Sequence, residues 1–443
     1  MSKITARLLA TALATALAAT AAPAAATAAT AASTPSAADP FYAYDGSTPL
    51  ASLPPGTVLK TRQLPYHLVG IPTPLTAIQL LYRSTDAQGR PAANVTTVVR
   101  APGGDGRKAV SYQSFYDSLN PADAPSRAIA GDVTLGGVIA NSEAIFVVPL
   151  LLQGYDVVIP DTEGQPADFG AGPEYGTNTL DSIRAATNST ATGLGPDTAF
   201  GLMGYSGGAI ATNWAAALAP SYAPEVNRRL VGFAEGGLLV DPAHNLKYVD
   251  GALMWNGLTP LALIGVARSY GLDLTPYLSD YGLQVFQKLQ NASILNALGQ
   301  YPGLTWAKMA KPEYADPNSV PPFVTAVNRV NLGSAATPTV PGYIAQGNGG
   351  IWEGTFNNPP GIGTGDGVMV AGDVRALARQ YCDTGNRAIK YDQFDLLSHL
   401  GVPAPWAPLA LNWLNDRFAG RPAPSDCGSI PPGNSLAPEP VRP

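Results

Sequence analysis

The sequence predicts an α/β fold, a mainly parallel central sheet covered by helices on both faces, with a helical cap inserted late in the chain. Three features predict it. Short, nearly unbroken apolar runs alternate with helical stretches, which is how strands buried on both faces read. The alternation stops between about residues 241 and 330, where long apolar helix faces take over. A Gly-x-Ser-x-Gly turn sits at one strand-to-helix junction.

The N-terminus reads as an export signal. Lys3 and Arg7 precede Leu8–Ala22, an uncharged Ala/Leu-rich stretch too short for a comfortable membrane span. Small residues suited to cleavage fill 22–38, so residues 1–32 are taken as signal peptide and leader. The expected layout is then core over 33–240, cap over 241–330, and core with C-terminal tail over 331–443. A secreted protein follows, with no integral membrane span in the mature chain, because no other segment offers about eighteen uncharged apolar residues in a row.

The core starts with two runs rich in Ile, Leu, Val and Thr, Thr73–Ser84 and Asn94–Ala101, joined by the turn-like Asp86–Pro91. This hairpin is expected at the antiparallel edge of the sheet. Further strands are expected at 107–113, 154–161, 199–204, 229–234, 340–346 and 387–391. Helices are expected at Ser142–Gln153, Thr179–Thr190 and Gly207–Ala219. In the cap, Leu253, Trp255, Leu258, Leu261, Leu263 and Ile264 mark one apolar helix face, and Val285, Phe286, Leu289, Ile294, Leu295 and Leu298 another. The Pro/Ser/Gly-rich tail from Pro422 reads as extended.

Composition narrows the partners. Hydrophobic residues make up 46 % of the 443 and charged ones 13 %, enough to bury a large core. Without Lys3 and Arg7 the chain carries 24 basic against 32 acidic side chains, which disfavours nucleic acid and anionic membranes. The only cysteines, Cys382 and Cys427, are read as one disulfide, as befits an exported chain. No metal is expected, since none of the three histidines lies near a cysteine at ligand spacing.

The chemistry centres on Gly204-Tyr-Ser-Gly-Gly208, which follows the apolar Phe200-Gly-Leu-Met203 and precedes the Ala-rich Ile210–Leu218. In that setting Ser206 stands clear of the sheet on a strained turn, with helix N–H groups beneath it for an oxyanion. A serine hydroxyl needs a base that works near neutral pH. Of His67, His244 and His399, the last follows the final expected strand and returns to the same edge of the sheet. His67 is placed before the sheet in a Pro-flanked segment, and His244 opens the cap. The acid should lie between serine and histidine in the chain, after the penultimate strand: Asp366 is the choice, then Asp373, then Glu353. Oxyanion N–H groups are expected from Gly207 and from Asp117 in the loop after the strand 107–113. Gly347-Asn-Gly-Gly350 resembles a phosphate cradle, but no Lys follows and no helix is expected there, so it is read as a loop.

Several segments taken together carry a family likeness. They are Ser111-Tyr-Gln-Ser-Phe-Tyr-Asp117, Gly154-Tyr-Asp-Val-Val-Ile-Pro-Asp161, Leu180–Ala186, Gly204–Gly208, Ala234-Glu-Gly-Gly237, Asp366-Gly-Val-Met-Val370 running on to Cys382, and Ser398-His-Leu400. In order and spacing the chain resembles the secretory lipase family (Candida antarctica lipase A-like and actinobacterial secreted lipases), a group with the α/β-hydrolase fold. The resemblance implies a serine hydrolase acting on lipid or other small-molecule esters, with triacylglycerol lipase activity and no cofactor. It implies Ser206, Asp366 and His399 as catalytic triad, Gly207 and Asp117 as oxyanion hole, a cap that shapes an acyl-binding tunnel, and contact with a lipid interface. One departure stands out: a Gly/Asn/Pro-rich insertion, about 347–365, separates the strand from the acid. A short-chain carboxylesterase or polyesterase, an acyltransferase and a serine peptidase would share this machinery. The cap acids Asp241, Asp250, Asp273, Asp280, Glu313 and Asp316 are scattered rather than clustered, which speaks against holding a peptide amine.

Overall fold

The computed structural model describes residues 39–442; the expected export signal lies outside them. The described residues divide into two units, 39–43 and 44–442. The described part of the first is a single 3-10 turn, Pro40–Tyr42, with Asp39 accepting from the Phe41 N–H at 2.9 Å. The second holds the sheet, the cap and the tail.

Among the described residues nine strands form one sheet: β1 Val58–Leu68, β2 Ile71–Thr85, β3 Pro91–Val99, β4 Lys108–Gln113, β5 Asp156–Pro160, β6 Ala199–Tyr205, β7 Leu230–Gly236, β8 Gly342–Gly347 and β9 Ile389–Phe394. Their order is β1-β2-β3-β5-β4-β6-β7-β8-β9. Pairings from β1 to β5 are antiparallel and all the rest parallel. The expected edge hairpin is β2–β3, but it is not the edge: β1 lies outside it. His67, expected before the sheet, sits within β1. β1 is hard to read because only one of its faces is covered and Pro65 interrupts it. An edge strand tolerates that proline, and its register with β2 shifts between Pro65 and His67.

The inner strands read as continuous apolar runs because both faces are buried. Phe200 and Leu202 of β6 join the core formed with helices Gly172–Asn188, Gly207–Tyr222 and Ala371–Asp383. Met203 and Tyr205 point the other way, against helices Ala144–Leu152 and Pro403–Phe418. Each such side chain contributes roughly 1.5–3 kcal/mol on burial. The helix expected at Thr179–Thr190 starts at Gly172, earlier than its apolar pattern suggested. The reason is that Glu174 and Asn178 are buried on its inner face, where Glu174 accepts from the Ala87 N–H at 3.0 Å. The helix expected at Ser142–Gln153 is Ala144–Leu152, preceded by a separate helix, Gly137–Ser142.

Between β7 and β8 the chain folds into the helical cap. Its main helices are Pro242–Val249, Leu258–Tyr270, Asp280–Leu289 and Pro321–Arg329. Asp241 caps the first through Ala243 N–H (3.0 Å), and Ser279 caps the third through Gly282 N–H (3.2 Å). Leu261, Val285, Leu289, Trp306 and Phe323 belong to its own apolar core. The loop after β4 is strapped to the cap by backbone bonds from Leu119 N to Ala292 O and from Ile294 N to Asp117 O, both 2.8 Å. Among the described residues no helix is long and apolar enough to cross a membrane.

Cys382, in the helix Ala371–Asp383, is bonded to Cys427 in the tail. From there the tail runs to the cap, where the Glu439 carboxylate accepts from Lys247 Nζ (2.9 Å) and its backbone pairs both ways with Asn328 (2.8 and 2.9 Å). The disulfide bridges 45 residues, which in the chain-entropy picture is worth about 4 kcal/mol. The Cys382→Ser, Cys427→Ser double variant is therefore expected to lose up to that much stability in urea unfolding; a loss under about 1 kcal/mol would mean that the unfolded chain gains little freedom from the cut.

Candidate active site

β6 ends at Tyr205, and the helix Gly207–Tyr222 begins two residues later, so Ser206 must turn the chain alone. It does so at φ 54°, ψ −120°, in the left-handed half of backbone space that side chains avoid. Two glycines permit it. A Cβ on Gly204 would run into the carbonyl of Gly208, and a Cβ on Gly208 into the carbonyl of Gln113 at the end of β4. The Ser206 N–H is fixed by the Gly236 carbonyl of β7 at 2.9 Å. The Gly207 N–H, at the first helical position, has no partner within its helix and lies at the positive end of the helix dipole.

His399 reaches this turn from the loop after β9. Its Nε2 lies 2.7 Å from Ser206 Oγ and its Nδ1 2.8 Å from Asp366 Oδ2. All three residues are buried. Asp366 sits in a tight turn closed by its own backbone bond to Met369 (3.0 Å). Its Oδ1 accepts from the N–H groups of Val368 (3.1 Å) and Met369 (2.8 Å), and its Oδ2 also accepts from Gln346 at the end of β8 (2.9 Å). The backbone holds histidine and acid together as well: the His399 N–H donates to the Asp366 carbonyl at 2.7 Å, and the Tyr205 hydroxyl donates to the His399 carbonyl at 2.6 Å. Burial by itself would lower the His399 pKa. The neighbouring charges of Asp366, Glu353 and Asp117 outweigh it and hold the imidazole above the ordinary histidine value.

The other expected residues lie as follows. Asp117 and Gly207 line the same cavity as Ser206. Asp117 is a second non-glycine residue at positive φ, 39°. The loop that strains it is pinned on both sides by buried acids: Phe115 N–H donates to Glu143 (2.7 Å), and Ser118 N–H lies 3.3 Å from both oxygens of Glu163. Burial pushes the Asp117 carboxyl up to about 7, with partial relief from His399. The rejected histidines have other partners. His67 Nδ1 lies 3.0 Å from the Ile129 carbonyl, and His244 Nδ1 lies 2.9 Å from Asp373, so the second-choice acid serves a different histidine. Two neighbours of His399 carry no local signal of that place: Tyr205 is the x of Gly-x-Ser-x-Gly, and Trp255 reads by its spacing as part of an apolar helix face of the cap. The loop Gly347–Gly350 runs into a 3-10 turn, Gly350–Glu353, where no helical turn was expected.

The cavity, about 840 Å³ with its open mouth, is lined mainly by apolar side chains. Leu239, Leu246, Leu258, Leu263, Val266, Phe323, Val327 and Met369 form most of its wall, nearly all from the cap or the turn after Asp366. That lining has the character of a site for a mostly apolar small molecule.

A strained serine turn between β6 and its helix, with histidine and acid supplied after later strands of a mainly parallel sheet, gives the chain the α/β-hydrolase fold. Its fold matches Candida antarctica lipase A in its closed state with a TM-score of 0.76, at 24% identity and over 91% of both chains. The rice cell wall degrading esterase LipA of Xanthomonas oryzae follows with a TM-score of 0.62, at 15% identity, over 82% of this chain and 100% of that one. In sequence, residues 131–352 and 360–426 match the secretory lipase family, and the chain belongs to it. It is 32% identical over 411 residues to Lipase 2 of Candida albicans, covering 89% of this chain and 83% of that one. It is 33% identical over 392 residues to a probable inactive lipase of Mycobacterium tuberculosis, covering 87% and 82%. The family is one of carboxylic ester hydrolases.

Proposed function

We propose that the chain is a secreted lipase that hydrolyses the esters of long acyl chains, triacylglycerols among them, through an acyl-enzyme on Ser206. The observation that carries this reading is the unbroken chain of hydrogen bonds from Asp366 to His399 to Ser206, at 2.8 and 2.7 Å, opening on an apolar cavity. His399 takes the hydroxyl proton as Ser206 Oγ attacks the ester carbonyl. Asp366 keeps the imidazole turned with Nε2 toward the serine and stabilises the imidazolium. The N–H groups of Gly207 and Asp117 receive the oxyanion. His399 returns the proton to the leaving alcohol, and water then releases the acid by the same steps. One relative is a probable inactive lipase, so membership of the family does not by itself imply turnover. The reading of activity rests on the hydrogen-bonded side chains of this chain. The family and the disulfide both favour export.

Lipid as substrate is supported by the surface next to His399. Leu253, Ile351, Trp352, Phe356, Leu396 and Leu400 are all exposed, Trp352 by 71% and Leu396 by 81%. Their strands of chain are neighbours: Leu253 N–H donates to Gly354 O (3.1 Å), Gly349 N–H to Leu397 O (2.9 Å) and Leu400 N–H to Glu353 Oε1 (2.8 Å). Exposed apolar side chains gathered in this way on segments that adjoin His399 suit an uncharged lipid surface.

Four measurements test the reading. Ser206→Ala should cost about 10⁴-fold or more in kcat with the fold retained, and turnover should peak at p-nitrophenyl esters of C8 or longer and extend to emulsified triolein. Activity confined to C2–C4 esters would make the chain a short-chain esterase, and activity of Ser206→Ala within tenfold of wild type would remove the serine from the mechanism. Because His399 must be neutral to accept the proton, kcat/KM should rise with pH through a limb above the ordinary histidine value of 6.5, and a limb below that value would contradict the charge environment described. Trp352→Asp should lower triolein turnover about tenfold or more while leaving hydrolysis of dissolved butyrate esters within about twofold; equal loss on both would deny the rim an interfacial role.

A further inference from the structure

The insertion 347–365 carries one charged side chain, Glu353, and buries it. Its Oε2 accepts from the indole N–H of Trp255 at 2.6 Å, and its Oε1 from the backbone N–H of Leu400 at 2.8 Å. Both oxygens are therefore acceptors, as in an ionised carboxylate. Both donors border His399. Leu400 follows it in the chain, and Trp255 meets its ring edge-on, with centroids 5.1 Å apart and planes at 81°. The fit is close on the acid side too. A Cβ on Gly367, next to Asp366, would lie 2.7 Å from Glu353 Oε2 and 2.9 Å from Trp255 Nε1.

We propose that Glu353 is a positioning residue for His399: it fixes the ring between Trp255 and the Leu400 backbone and supplies a second negative charge, behind Asp366, that the imidazolium meets as Ser206 attacks. The proposal rests on the reading of His399 as base. Burying a carboxylate is costly, and its two partners here are neutral N–H groups. That unmet charge is answered when His399 protonates. A strut that merely held the insertion would need no charge. The other groups that face this cluster are Asp366 from its turn, Asp117 from the loop after β4, Tyr205 from the end of β6 and Tyr248 from the first cap helix. The charges of Asp366 and Asp117 act on His399 in the same direction as that of Glu353.

The test is Glu353→Gln in the full chain, followed by the pH titration of the downfield NMR resonance of the His399 Nδ1 proton, measured without substrate. Removing the negative charge destabilises the imidazolium, so the midpoint should fall, by about half a pH unit or more. On p-nitrophenyl butyrate kcat should fall about tenfold with KM within about threefold, and the kcat/KM limb should move to lower pH with the NMR midpoint. A midpoint and kcat both unchanged, with only the melting temperature lowered, would reduce Glu353 to a strut and overturn the proposal. Should Glu353→Gln not fold, Trp255→Phe carries the test. It deletes the donor to Oε2 and leaves the carboxylate, and an unchanged kcat would overturn the positioning role while a severalfold loss at constant KM would support it. The NMR midpoint needs no ester turnover, so failure of the hydrolase reading and failure of this one are distinguishable.

Discussion

The approach of the helix Gly207–Tyr222 to β6 and β4 is the constraint on which the rest depends. It is possible only because Gly204 and Gly208 have no side chains to meet the Gly208 and Gln113 carbonyls. The approach forces Ser206 into the left-handed region and lifts its hydroxyl off the sheet. It also places the first N–H of the helix beside that hydroxyl. The strain is held by burial on both sides of β6, where Phe200 and Leu202 pack one way and Met203 and Tyr205 the other. An isolated strand and helix would relax; between two cores they cannot.

The groups that meet Ser206 come from loops, and each loop is held by polar groups buried with it. The Asp366 carboxylate is saturated by Val368, Met369, Gln346 and His399. The Asp117 loop is pinned by Glu143 and Glu163 and strapped to the cap by two backbone bonds. The cap thus supplies most of the cavity wall and also helps hold a residue of the proposed oxyanion site. The tail, bonded at Cys427 to the helix Ala371–Asp383 and held on the cap by Lys247 and Asn328, ties that cap back to the core.

Legibility along the chain followed burial. The strands covered on both faces, β4 to β8, stand out as apolar runs; Ser206 and Asp366 were expected from their places after two of them, and His399 from its place after β9. β1 did not stand out, since one of its faces is uncovered and Pro65 breaks it. The first turns of the helix from Gly172 were hidden because Glu174 and Asn178, polar residues, are what it buries. Trp255 reads as core by its spacing, and nothing local reveals that its indole N–H is bound by Glu353, 98 residues further on.

What the sequence determined by itself is the alternation of elements, the turn chemistry at Gly204–Gly208 and the order serine, acid, histidine. These are local properties, set by the period of apolar residues and by which residues tolerate a given backbone angle. Which carboxylate serves which histidine was decided only in three dimensions. Asp366, Asp373 and Glu353 are all buried acids between serine and histidine; the fold gives the first to His399, the second to His244 and the third to Trp255 and Leu400. Pairing of that kind depends on distances of a few ångströms between residues tens to hundreds of positions apart, and sheet order and loop anchoring set those distances.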